Sequence, residues 1–173
     1  MKKFFLTMTM VAVFGIATAQ TEQGGWLIGA STNLGFTSTS VDGVDDNESE
    51  FNLDGKAGYF LIDGLAAGLN LSFSNNKQGD DKTTVTAIGP FARYYVNGTF
   101  FVGAGYASTS VKSDDGTTSN TVKGGLLSLE AGYPIWFGDN VALEPSLNYG
   151  MGSGDLLKDT SFFGLAVGFS LYF

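Results

Sequence analysis

Cysteine and histidine are both absent from this 173-residue chain. Without cysteine there is no disulfide, no thiolate metal site, no thiol nucleophile and no lipid-modified N-terminal cysteine. Without histidine the commonest metal ligand and the usual general base near neutral pH are gone. Charge is scarce too, at 15% of residues, against about 25% in an ordinary soluble domain. Cations are scarcest: 9 Lys and Arg face 17 Asp and Glu, for a formal net charge of −8. Such a chain lacks the phosphate affinity that nucleic-acid binding requires. Glycine (25 residues) and aromatic side chains (14%) are abundant, and a hydrophobic share of 43% argues against disorder. The length fits one domain.

The first 19 residues read as a helical targeting segment. Lys2 and Lys3 are followed by an apolar run, Phe4 to Gly15, which is too short for a stable span. Ala17-Thr18-Ala19 has the small-x-small form of a signal-peptidase site. Cleavage after Ala19 is expected, leaving 20–173 as the mature domain. Losing the two lysines takes the charge from −8 to −10.

No later segment holds 18 consecutive apolar residues, so no spanning helix follows. Period-2 alternation takes its place. In the last segment Phe163, Leu165, Val167, Phe169, Leu171 and Phe173 fall on one face, with Gly164, Ala166, Gly168 and Ser170 on the other. A strand sends alternate side chains to opposite faces, so one face is large and apolar and the other small. The pattern recurs from Trp26 to Phe36, Leu65 to Ser74 and Val141 to Gly150, and more weakly over 50–62, 83–96, 98–111 and 119–136. That makes eight strands. Asp63-Gly64, Asn97-Gly98 and Gly138-Asp139-Asn140 are tight hairpin turns. The other connections, about 38–49, 75–83, 112–119 and 151–160, are polar and read as long loops. Short turns at one end and long loops at the other characterise a transmembrane β-barrel.

A soluble barrel around an apolar ligand would show the same period with its faces reversed. Three features favour lipid outside. The non-apolar face is Gly, Ser, Asn and Ala, which suits a narrow eight-stranded interior. Acids gather in the polar connections: Asp42, Asp45, Asp46, Glu48, Glu50, Asp80, Asp81, Asp114, Asp115, Asp155 and Asp159. Aromatic residues form two belts. Trp26, Tyr59, Tyr94, Phe100, Tyr133, Trp136 and Tyr172 lie near the short turns, and Phe36, Phe51, Phe73, Tyr106, Tyr149 and Phe163 near the long loops.

With these features, the mature chain resembles the small bacterial outer-membrane β-barrel proteins of the OmpA/OmpX-like kind. The most specific match is the end of the chain, Ala166 to Phe173, where Gly168, Leu171 and the terminal Phe173 fit the assembly signal of that class and Ala166 departs at its polar position. Gly89 to Tyr95 also looks like a strand of this family. The resemblance implies an all-β, eight-stranded antiparallel up-and-down transmembrane barrel in the Gram-negative outer membrane. It also implies that barrel-assembly machinery reads Gly168, Leu171 and Phe173. The expected partners are outer-membrane lipid and that machinery, with the protein a monomer. The sequence names no extracellular partner for the loops.

Asp54, Lys56, Arg93, Glu130 and Glu144 fall on the inferred inward faces, and Arg93 is the single arginine. Five ionisable groups in one narrow lumen must pair, because an unpaired buried charge costs several kcal/mol. The structural reading is a salt-bridge network that plugs the barrel; the alternative is a constriction in a narrow, porin-like pore. Eight strands leave little room for a channel, which favours the plug. Glu130 and Glu144 as a catalytic pair find no further support. No Ser sits beside a base in a recognisable pattern, so no enzymatic activity, cofactor or metal is expected. The acidic run Asp42 to Glu50 fails calcium-loop spacing, with Val44 at its third position. Runs such as Gly103-Ala104-Gly105 lack the setting of a phosphate loop. Pro90, Pro134 and Pro145 fall inside proposed strands, where each removes a ladder donor, so bulges or bends are expected there.

Overall fold

From Trp26 onward the alternating sequence becomes almost continuous strand. The structure, a computed structural model, describes residues 21–31, 35–39 and 48–173. The expected targeting segment, its expected cleavage site and most of the acidic run 42–50 lie outside the described residues. The strands are β1 (Trp26–Ser31), β2 (Gly35–Thr39), β3 (Glu48–Ile62), β4 (Leu65–Gln78), β5 (Asp81–Val96), β6 (Phe100–Asp114), β7 (Ser119–Gly132), β8 (Ile135–Trp136), β9 (Val141–Ser153) and β10 (Ser161–Tyr172). All pairings are antiparallel, and β1 pairs with both β10 and β3, so the sheet closes on itself. The pairs β1/β2 and β7/β8 each act as one stave, giving the expected closed eight-stranded barrel. Trp26 and Phe173 exchange backbone hydrogen bonds at the closing seam, at 2.5 and 3.0 Å.

The apolar face points outward. Leu165 is 82% exposed, Phe163 71% and Leu69 56%, as lipid-facing residues of a membrane barrel must be. A soluble barrel with its apolar face inward is therefore overturned. The tight turns form as expected: Asn97 (φ 50°) and Gly98 (φ 65°) are both left-handed, and Thr99 N–H donates to the Val96 carbonyl at 3.0 Å.

The polar connections differ from expectation. β4 runs to Gln78 and β5 starts at Asp81, so only Gly79 and Asp80 turn the chain there. Residues 115–118 join β6 to β7, with the Asp115 carboxylate accepting from the N–H groups of Thr117 and Thr118 at 2.9 and 2.6 Å. Those bonds hold this carboxyl below its usual range. A short helix, α1 (Gly154–Leu157), sits between β9 and β10. The sheet thus extends into segments read as loops. Lys82-Thr83-Thr84-Val85-Thr86 shows why: it is polar yet mostly β-branched, and β-branched residues favour strands.

The prolines also differ. No register shift flanks Pro90: Leu69↔Pro90 continues the β4 ladder, while the β5–β6 pairs skip from Ile88↔Ser108 to Phe91↔Gly105 in constant register. The ladder simply lapses at the missing donor. Pro134 and Pro145 share one lapse. It ends β7 at Gly132, so 119–136 is two pieces, and β8 resumes against β9 in the same register. Tyr133 N–H donates to the Pro145 carbonyl at 3.0 Å, and the return bond is the one proline cannot make. A register shift does occur elsewhere, between Phe60 and Ile62.

Strands β5 and β6 approach closely beside Pro90. A Cβ added at Gly89 would collide with the Tyr106 carbonyl and the Ala107 backbone. Gly89→Ala is expected to destabilise the barrel by about 1–3 kcal/mol, since backbone must move. Gly164→Ala, with nothing within 4 Å of the new methyl, is expected to be neutral. The temperature at which the folded band shifts on unheated gels checks both.

Candidate functional site: a charged layer in the lumen

The interior changes character along its axis. At the short-turn end it is aromatic and tightly filled. Phe60, Tyr95, Phe101 and Tyr172 are each buried, together with Leu27, Ala66 and Ala142. Tyr95 meets Phe101 at 5.5 Å, Phe60 at 5.8 Å and Tyr172 at 6.0 Å between ring centroids, and Trp136 packs on Tyr172 at 4.7 Å. Trp136 and Tyr172, expected in the outer belt, instead face inward. The parity of the strands explains this, because Tyr172 shares its face with Ser170, and Trp136 with Glu130.

The charged layer lies two residues further along these same faces. Arg93, 2% exposed, sits at its centre. Its Nε and Nη2 donate to the two Glu130 oxygens at 2.8 and 2.9 Å, a bidentate pair. Its Nη1 donates to Glu144 at 2.7 Å and to the Tyr95 hydroxyl at 2.9 Å. Lys56 Nζ reaches Glu130 at 3.5 Å. Glu144 also accepts from the Ser170 hydroxyl at 2.9 Å and from the Tyr172 hydroxyl. The guanidinium lies over the Phe101 ring, 3.9 Å from its centroid, which joins the charged layer to the aromatic one. Among the described residues no buried side-chain nitrogen or oxygen lacks a hydrogen-bond partner.

The register makes this geometry reachable. Arg93, Gly103 and Glu130 stand side by side on β5, β6 and β7. A Cβ at Gly103 would lie 2.6 Å from a Glu130 oxygen, so the glycine clears the space in which the two ions meet. Gly29 does the same between Lys56 on β3 and Ser170 on β10. There a Cβ would lie 2.8 Å from the Lys56 stem and 3.0 Å from the Ser170 hydroxyl.

Four of the five residues expected in the lumen thus come together. Asp54 lies further toward the long-loop end, where it lines a cavity of about 280 Å³ with Lys56, Asn70, Ser72 and Ser128. A second cavity of about 200 Å³ borders Arg93, Glu144, Ser146, Asn148 and Ser170. Reasoning from charge alone missed Tyr95, Tyr172, Ser170, Gly29 and Gly103. Extending the inward parity by two residues, from Arg93 and from Ser170, finds Tyr95 and Tyr172, and Ser170 itself already stands on the small face. The glycines need the cross-strand register, which one sequence does not give. Gly168 pairs with Glu144 and Ser31, and Leu171 with Ile28, so both lie in the closing seam with Phe173.

A family model of the outer membrane protein beta-barrel domain matches residues 5–173. Among solved structures, the N-terminal β-barrel domain of Pseudomonas aeruginosa OprF aligns with a TM-score of 0.53 at 19% identity, over 87% of this chain and 98% of that one. Neisserial surface protein A aligns with a TM-score of 0.52 at 20% identity, over 86% and 96%. Yersinia pestis Ail in a phospholipid nanodisc gives 0.50 at 16% identity, over 87% and 100%. At such identities the likeness shows the fold alone. No curated protein matches the chain.

Removing Arg93 would leave Glu130 and Glu144 facing each other without their shared cation. Arg93→Ala is expected to lose about 3–5 kcal/mol, as breaking a buried pair does. Arg93→Lys, which keeps charge but not the bidentate fork, should fall between. Tyr172→Phe removes one hydroxyl from Glu144 and should cost about 1–3 kcal/mol. Gel-shift temperatures order the three; an unchanged Arg93→Ala would show that the layer carries no stability.

Proposed function

We propose the following on a plain premise: the chain belongs to the outer membrane protein beta-barrel domain family and resides in the cell outer membrane. It is a non-enzymatic, monomeric barrel with a closed lumen, and it displays its acidic hairpin tips at the cell surface in a structural or surface-interaction role. The observation that carries the closed lumen is the stacking of two filled layers. Four buried aromatic rings lie at one end, and a charged layer centred on a 2% exposed arginine lies directly above them. An ion crossing both would have to displace Arg93 from two carboxylates and part the rings. The absence of histidine supports the non-enzymatic reading, and Glu144, the acid that accepts from Ser170, is already held by Arg93 and Tyr172. Lipid and the assembly machinery are its partners, the latter through Gly168, Leu171 and Phe173.

Planar-bilayer recording tests the closed lumen. The expected result is no discrete conductance from the wild type. Reproducible single-channel steps would establish the narrow-pore reading instead, and their change in Arg93→Ala would locate the gate.

The absence of native cysteine makes orientation simple to test. Thr117→Cys, at the β6–β7 tip, is expected to react with an impermeant maleimide on intact cells. Asp139→Cys, in the β8–β9 turn, should react only after the outer membrane is breached. The opposite pattern would invert the topology.

The assembly role of the C-terminus needs a variant that spares the seam, because the Phe173 backbone pairs with Trp26. Phe173→Ala keeps those bonds and removes only the ring. It is expected to lower the amount of heat-modifiable protein in the outer membrane and to raise periplasmic precursor. Phe169→Ala, also lipid-facing at 47% exposure, should do much less. Equal effects would show that the terminal ring acts only as membrane-facing bulk.

A further inference from the structure

Four of the chain's nine cations share one outer face. On β4 the outward positions run Leu69, Leu71, Phe73, Asn75, Lys77; on β5 they run Tyr94, Ala92, Pro90, Ile88, Thr86, Thr84, Lys82. On β6 they run from Tyr106 through Ser108 and Ser110 to Lys112, and on β7 from Leu129 through Leu127 and Gly125 to Lys123. The large members anchor this parity, since Leu69, Ile88, Tyr106 and Leu127 are 56, 51, 50 and 41% exposed. All four lysines are exposed. They lie on consecutive staves, beyond the lipid-facing band at the long-loop end.

The register turns these four into one cluster. Lys77 stands directly opposite Lys82, which puts their Cβ atoms about 5 Å apart. Lys82 pairs with Asp114 and Lys112 with Thr84, so Lys82 and Lys112 are diagonal neighbours. Lys112 pairs with Thr121 and Lys123 with Ser110, so these two are diagonal as well. Diagonal neighbours are about 7–8 Å apart, within reach of long side chains. Asp114 is the only acid on the outward face of β4–β7, and it meets Lys112 at 3.9 Å in an exposed pair. Like charges placed directly opposite destabilise a sheet. A chain this short of cations nevertheless assembles four of them on one surface.

We propose that this lysine cluster is a binding surface for lipid phosphate: it takes the phosphorylated head groups of anionic glycolipid packed against the barrel at the long-loop end. Two features select that occupant. The cluster continues the lipid-facing surface without interruption, separated from the apolar band only by uncharged Asn, Thr, Ser and Gly. Its height also fits. The lysines stand four to six residues past the last large outward side chain, roughly 10–15 Å along the barrel axis for tilted strands. Long lysine stems reach back from there to the head-group layer. A bridging phosphate would add to Asp114, which stands opposite Lys82, in offsetting the Lys77–Lys82 repulsion. This inference rests on membrane residence and on the proposed exposure of the long-loop end at the cell surface, not on a closed lumen.

The test is amine-reactivity footprinting of the mature chain in nanodiscs, which expose both ends of the barrel. The discs are of zwitterionic phosphatidylcholine alone, or with lipopolysaccharide, phosphatase-treated lipopolysaccharide or free inorganic phosphate. Labelling of Lys77, Lys82, Lys112 and Lys123 is expected to fall about fivefold with intact lipopolysaccharide. It should recover after phosphatase treatment and stay unaffected by free phosphate. Equal labelling with intact and treated glycolipid would overturn the proposal, as would the same protection from inorganic phosphate. The variant K77Q/K82Q/K112Q/K123Q gives an independent reading. It should be more heat-stable than wild type in zwitterionic discs and should gain nothing from lipopolysaccharide. A variant that still gains stability from the glycolipid as wild type does would equally sink the idea. Bilayer conductance is indifferent to all of these outcomes, so a failure here and a failure of the closed lumen are separate results.

Discussion

Within hydrocarbon a backbone N–H or C=O has no water to turn to, and each unpaired group costs several kcal/mol. That constraint orders the rest of this structure. It forces the last strand back onto the first, with Trp26 and Phe173 closing the seam. It also limits where proline can stand. Pro134 lies past the last β6–β7 pair, Phe101↔Gly132, and Pro145 faces Tyr133 in the same gap. Two prolines therefore share a single lapse in the ladder. Pro90 stands alone inside the span, its register unbroken on the β4 side. A local lapse preserves the alternation of faces, whereas a one-residue shift would turn the lipid-facing set inward.

Closure with eight strands then fixes how much room remains inside. The chain divides that room by residue size. Aromatic side chains fill the short-turn end, and Gly, Ser, Ala and Asn leave small polar cavities toward the other. The charged layer lies at the boundary. Arg93 touches a ring on one side and carboxylates on the other, a combination that suits guanidinium far better than ammonium. Glycines 29 and 103 belong to the same device, because their missing side chains are the volume into which Lys56 and Glu130 extend.

Much of this was legible in the sequence. Period-2 alternation and Asn-Gly or Asp-Gly turns located eight staves, and inward parity selected Lys56, Arg93, Glu130 and Glu144. The misreadings have physical causes. Trp136 and Tyr172 suggest a membrane belt because aromatic residues near strand ends usually form one. Their parity with Glu130 and Ser170 pointed inward. Segments 75–83 and 112–119 resemble loops because they are polar, yet a strand beyond the bilayer has no need of apolar residues. Proline suggests a bulge because a shifted register is one answer to a missing donor; here the ladder lapses in register instead. The role of Gly103 was out of reach, since it depends on which residues of β5 and β7 stand beside it.

The scarcity of cations becomes informative once each is placed. Of nine, Lys2 and Lys3 lie outside the described residues, Lys56 and Arg93 line the lumen, and Lys158 stands in the β9–β10 connection. The remaining four are those on the outer face of β4–β7. The acids are distributed in the opposite sense. Glu130 and Glu144 are inside, Glu50 and Asp54 line the lumen mouth, and Asp80, Asp115 and Asp155 sit at or near hairpin tips. Neutralisation between neighbours would have put the two signs on the same surface, as alternating pairs along adjacent strands do. Here they meet closely in the buried layer and largely part on the outside. Net charge therefore says little about this molecule: a chain at −8 can present a cationic surface to whatever lies against β4–β7, and an acidic one to the water beyond its tips.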